Sequence, residues 1–151
     1  MTQLQLLREM YFLTKLNDFL IILSNEYNPQ DWGYYYPDNK VIVIYTLNED
    51  GSRIDRDALI RICCHEVAHH IQYHHTKDYE VIDGEEHDNK FKEIFAKLLE
   101  KYYNGKVPTE TLEVIREEGL EYEPNSQKKS RAKRAPKAVR GNISSKPTTN
   151  I

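Results

Sequence analysis

The 151 residues predict an α+β domain with a disordered basic tail. The expected layout is an N-terminal helix, a small β-hairpin or sheet, a histidine-bearing helix, and a following helix that carries a further candidate ligand. Three observations support this. Apolar residues recur at helical spacing in several stretches, whereas one stretch between them is aromatic and β-branched around a turn. Past Pro124 the hydrophobic pattern stops. With 39% hydrophobic and 30% charged residues there is material for one core, so residues 1–124 are expected to form one domain and 125–151 the tail.

From the N-terminus, Thr2 to Ser24 reads as an amphipathic helix. Leu6, Met10, Leu13, Phe19 and Leu20 lie near one stripe, with Gln5, Arg8, Lys15 and Asp18 largely off it. Asn25 to Pro29 is turn chemistry. Trp32-Gly33-Tyr34-Tyr35-Tyr36, Pro37-Asp38-Asn39-Lys40 and Val41 to Leu47 then read as strand, turn and strand. The second strand is apolar on both faces, which predicts cover on at least one side. It is also expected to be a sheet edge to which an extended substrate adds as a further strand. Asp55 is a good N-cap for a helix running to about His75, with Leu59, Ile62, Cys63 and Val67 as its apolar stripe. Thr76 to Gly84 is a loop. A third helix is expected from Glu85 to Tyr103, stopped by Asn104-Gly105, and a short fourth from Thr109 to Glu118.

Charge is unevenly placed. Residues 125–151 hold eight Lys and Arg and no Asp or Glu, leaving thirteen basic residues against 24 acidic ones in residues 1–124. An acidic body repels phosphates, whereas the tail can contact them. Lys128, Lys129, Arg131, Lys133 and Arg134 are the densest part of that tail. A purely solubilising tail, or a nuclear-import signal in a eukaryote, is the plainer account of such a run. The two cysteines, Cys63 and Cys64, are adjacent on a predicted helix, where a disulfide between them would be strained. Their use points to a reducing, intracellular compartment, either cytoplasm or nucleus. No stretch is apolar enough for a membrane span. Charges at Arg8, Glu9, Lys15 and Asp18 argue against a signal peptide.

The chemistry concentrates in His65-Glu66-Val67-Ala68-His69. On a helix, residues four apart differ in direction by about 40°, so both imidazoles can reach one ion. Glu66 is then placed to take a proton from a water on that ion. Imidazole nitrogens suit Zn2+, which brings bound water into a usable protonation range. The plain alternative is a chance match on a helix rich in His and Glu. A catalytic zinc needs a third protein ligand, and His87 is favoured because it lies one turn before Phe91 on the apolar stripe of the third helix. Asp88 is its rival; Asp83, Glu85 and Glu86 are less well directed. His70 and His74 lie on another face and read as a solvated surface, or one that supports the metal ligands, rather than as a second metal site, and His75 as the fraying helix end. Cys63 reads as core. Tyr34, Tyr35, Tyr73 and Tyr79 are the candidates for a second oxyanion donor.

In the order of these parts the chain resembles the SprT-like zinc metallopeptidase domain, a Spartan-related, gluzincin-like family. The matching pieces are Trp32-Gly33-Tyr34-Tyr35-Tyr36, Val41 to Leu47, His65-Glu66-Val67-Ala68-His69 and His87-Asp88-Asn89-Lys90-Phe91-Lys92, spanning roughly Leu4 to Tyr103. The resemblance implies His65, His69 and His87 as zinc ligands, Glu66 as general base, and proteins bound to DNA as substrates. The chain departs from the family in having Asp88 where Gly often follows the third His. One family strand is not evident before the hairpin, and two cysteines cannot make a four-cysteine zinc ribbon.

The expectation is therefore a zinc metallopeptidase that hydrolyses protein or peptide substrates, with a DNA contact through residues 125–151 and no membrane attachment. The competing expectation is a non-proteolytic zinc-binding adaptor that contacts DNA or a partner protein through the same tail.

Overall fold

A computed structural model describes residues 1–76 and 88–120. The tail 125–151 and the loop through His87, Tyr79 included, lie outside the described residues. The architecture is α+β: helix α1 (Gln3–Thr14), strands β1 (Leu20–Ser24), β2 (Gly33–Tyr36) and β3 (Val41–Tyr45), then helices α2 (Arg56–His75), α3 (Asn89–Tyr102) and α4 (Thr109–Glu117).

The N-terminal helix is shorter than its apolar stripe suggests. A capping box starts it, in which the Thr2 hydroxyl accepts from the Gln5 amide and Gln5 Oε1 accepts from the Thr2 amide. It stops at Lys15, whose backbone is left-handed at φ 62°. Thr14 contributes by accepting from the Leu16 amide while donating to the Met10 carbonyl. The residues expected to continue the helix instead form β1. Ile21 and Ile22 pair in parallel with Ile42 and Val43, so tertiary pairing overrides the helical stripe.

This also corrects the place of β3. The sheet order is β1-β3-β2, with β3 parallel to β1 and antiparallel to β2, so β3 is central and β1 and β2 are the edges. Ile42 and Ile44 are fully buried, while Val41, Val43 and Tyr45 on the other face are half-buried. Cover is therefore close on one face and partial on the other.

Helix α2 is the spine of the fold. The Asp55 carboxylate accepts from the Ala58 amide at 2.8 Å and so caps it. Twenty residues give a rod about 30 Å long. It packs on β2 and β3 with one side and on α3 and α4 with others. Ile60, Cys63, Cys64, Val67 and Ala68 are fully buried along it. Helix α3 begins at Asn89, later than expected, because Asp88 is its N-cap. Asp88 Oδ1 accepts from the Phe91 amide and from Gln72 Nε2, both at 2.9 Å, which ties the start of α3 to α2. Its end follows the expected stop: Asn104 and Gly105 turn left-handed, and the Gly105 amide donates to the Glu100 carbonyl at 2.7 Å. Tyr102 joins three helices, donating to Glu9 and accepting from Arg56.

Candidate metal centre

The His-Glu-x-x-His segment falls in the middle of α2, where the helix is covered by the sheet and by α3. Glu66 and His69 are buried at 3% and 5% exposure, and His65 is half-buried. The His65 and His69 ring centroids are 5.0 Å apart. With metal–nitrogen bonds of about 2.0–2.1 Å and tetrahedral angles, two imidazoles on one zinc place their centroids about 5 Å apart. The ring separation is thus compatible with a shared ion. Helix α3 frames it. Phe91 stacks on His69 at 4.5 Å and meets the His65 edge at 5.0 Å, and Phe95 lies 5.6 Å from His65. This apolar wall packs against both rings and keeps the local dielectric low.

Gly33 brings the sheet to the same place. A Cβ there would lie 3.0 Å from Ile62 Cγ2, 3.2 Å from the Val43 carbonyl and 3.3 Å from Glu66 Cγ. The missing side chain thus lets β2 approach α2 directly beside Glu66. One turn earlier on α2, a cleft of about 280 Å³ opens between Trp32, Ile54, Arg61 and Ile62.

For the remaining expected site residues the outcome varies. His87 lies outside the described residues. Asp88 spends Oδ1 on capping α3 and on Gln72, a positioning role. Among the tyrosines, Tyr35 is fully buried and bonded to His70, and Tyr34 stacks on Tyr36 at 4.7 Å on the opposite face of the strand. Tyr73 continues the His65–His69 stripe by another four residues and is 43% exposed. Cys63 and Cys64 are core: burial pushes the Cys64 thiol up to about 12 and raises that of Cys63 strongly, so neither supplies a thiolate.

The reading of His70 as solvated surface is corrected. It is fully buried, with Nδ1 2.6 Å from the Tyr35 hydroxyl and Nε2 2.9 Å from Asp18 Oδ1. His75 Nε2 lies 2.8 Å from Asp18 Oδ2, so the helix end is held at this point. Partial burial works to raise the Asp18 carboxyl, but the hydrogen bonds from His70 and His75 outweigh it and hold it at about 2. Burial lowers His70, against the pull of Asp18. His74 packs beside this cluster, its ring 5.2 Å from that of His70, with Nε2 turned to the Pro37 carbonyl at 3.0 Å.

Against protein families, curated proteins and solved structures the chain finds no match. No helix among the described residues is long and apolar enough to cross a membrane.

Proposed function

We propose that this chain is a zinc-dependent endopeptidase, with His65, His69 and His87 as the metal ligands and Glu66 as the general base. The observation that carries the reading is the His65–His69 ring separation of 5.0 Å on a covered helix that buries Glu66 between them in sequence. His87 joins the set as the histidine of the His87-Asp88-Asn89-Lys90-Phe91-Lys92 segment, to which the family resemblance assigns the third ligand.

Zinc held by these residues would supply the Lewis acidity that activates water and polarises a peptide carbonyl at neutral pH. Glu66 takes the proton of the attacking water and delivers it to the departing amine. Phe91 and Phe95 hold the imidazoles in place and exclude bulk water. Among the described residues, the outer edge of β2 pairs with no strand and runs past Glu66 at Gly33. An extended peptide adding there places backbone against the site, and the Trp32–Ile62 cleft receives a side chain. This replaces β3 as the docking edge.

The test is hydrolysis of an unfolded protein before and after chelation. Activity stops in the metal-free protein and returns with Zn2+. Hydrolysis that persists without metal contradicts the proposal.

The substrates we propose are proteins on DNA, reached through Lys128, Lys129, Arg131, Lys133 and Arg134 of the basic tail. Contacts to phosphates are sequence-independent and release counterions. DNA affinity is expected to fall steeply with salt, to ignore base order and to vanish when residues 125–151 are removed. Equal DNA binding by the truncated protein would leave an endopeptidase without a DNA tether.

A further inference from the structure

We propose that Asp18, His70 and His75 form a second Zn2+ site, which ties the segment before β1 to the C-terminal end of α2. Among the described residues this is the group of His, Cys, Asp or Glu whose ligand atoms converge, all within 4.8 Å of one another. It shares no residue with the His65–His69 centre.

The geometry matches zinc on three counts. The His70 and His75 centroids are 5.2 Å apart, the spacing of two imidazoles on one tetrahedral ion. Both rings aim Nε2 at one carboxylate, His70 at Oδ1 and His75 at Oδ2. Those contacts, at 2.9 and 2.8 Å, need to open by only about 0.5 Å to reach ligand–ligand separations around a zinc with bonds of about 2.0–2.1 Å. Asp18 and His75 have room to rotate, because both are only about two-thirds buried, at 31% and 32% side-chain exposure. That same exposure gives the ion an entry path and leaves room for a water as fourth ligand.

His70 is the fixed member. Its ring is fully buried, lies 5.0 Å from Phe19, and is held at Nδ1 by the Tyr35 hydroxyl. A hydrogen bond on the far nitrogen is what orients a ligating imidazole. When Nε2 turns to the ion, the ring proton resides on Nδ1, where Tyr35 oxygen accepts it. A hydroxyl serves in either direction. Two imidazoles and a carboxylate are a donor set suited to Zn2+ and unsuited to Ca2+ or Mg2+, which take oxygen ligands. The ion would link chain positions 18 and 75, far apart in sequence, and so stabilise the fold wherever zinc is present.

The test is zinc stoichiometry of the full-length chain by titration against a chromophoric chelator, with Co2+ visible absorption as a second readout. Folding of each variant is checked by circular dichroism. The wild type is expected to bind two Zn2+ per chain. His75→Ala and Asp18→Asn each lose one equivalent, His65→Ala loses the other, and the His65→Ala/His75→Ala double variant binds none. The Co2+ spectrum of His65→Ala reports a two-nitrogen, oxygen-ligated ion that disappears on adding His75→Ala. A single equivalent in the wild type, removed by His65→Ala and kept in both His75→Ala and Asp18→Asn, overturns the second site while leaving the peptidase proposal standing. A single equivalent removed by His75→Ala and kept in His65→Ala supports the second site and overturns the first.

Discussion

On one face of α2, His65 and His69 stand 5.0 Å apart against Phe91 and Phe95; on another, His70 and His75 stand 5.2 Å apart around the Asp18 carboxylate. The imidazole spacing is nearly the same, so spacing does not separate the two settings. Their surroundings do. The first pair has apolar rings for walls, and its nearby carboxylate, Glu66, follows His65 directly in the chain and is buried. The second pair has its carboxylate between the rings, where partial burial works to raise the carboxyl but the hydrogen bonds from both rings hold it at about 2. In the proposed chemistry the first carboxylate moves a proton, whereas the second, bonded to both rings, holds them together.

The comparison can be broken by removing the wall of the first face. Phe91 is fully buried and touches both His65 and His69. Phe91→Ala is expected to cost about 3–5 kcal/mol in urea unfolding. It should also weaken zinc retention at the His65–His69 centre while leaving the His70–Asp18 contacts in place. Unchanged stability would mean that α3 does not frame the site. A smaller effect is expected on the second face. Tyr35→Phe keeps the ring and deletes the hydroxyl that His70 Nδ1 faces at 2.6 Å. Loss of a buried hydrogen-bond partner is expected to cost about 1–3 kcal/mol, with no change in peptide hydrolysis. A drop in hydrolysis comparable to that of a ligand substitution would show that the two faces are coupled.

The contrast also explains what could be read from the sequence. His65 and His69 are four apart, a spacing that places them on one face of any helix, and Asp55 and the apolar stripe fixed where that helix runs. His70 and His75 are five apart, about 140° around a helix, and meet only because a carboxylate 52 residues before His70 lies between them. No local pattern marks Asp18, since its partners are chosen by the way β1 docks. The same limit accounts for the N-terminal error. Leu6, Met10 and Leu13 are helical by periodicity, and Phe19 and Leu20 extend the stripe by coincidence, whereas the pairing of Ile21 with Ile42 is a tertiary event. The central position of β3 was equally hidden, because its second neighbour is that unforeseen strand. Gly33 shows the reverse: the Gly-aromatic run is plain in the sequence, but the need for a glycine lies in Ile62 and Glu66, which pack against it from α2.

The proposed chemistry rests on Glu66 being the base rather than a packing residue. The direct measurement is Glu66→Gln, assayed beside the wild type for zinc content and for hydrolysis of an unfolded protein. The amide preserves shape and burial but cannot take a proton. Zinc content is expected to equal that of the wild type, and the rate to fall by about 10²–10⁴, the usual weight of a general base. Zinc retained with hydrolysis undiminished would contradict the assignment of Glu66 and with it the account of α2 as a catalytic helix.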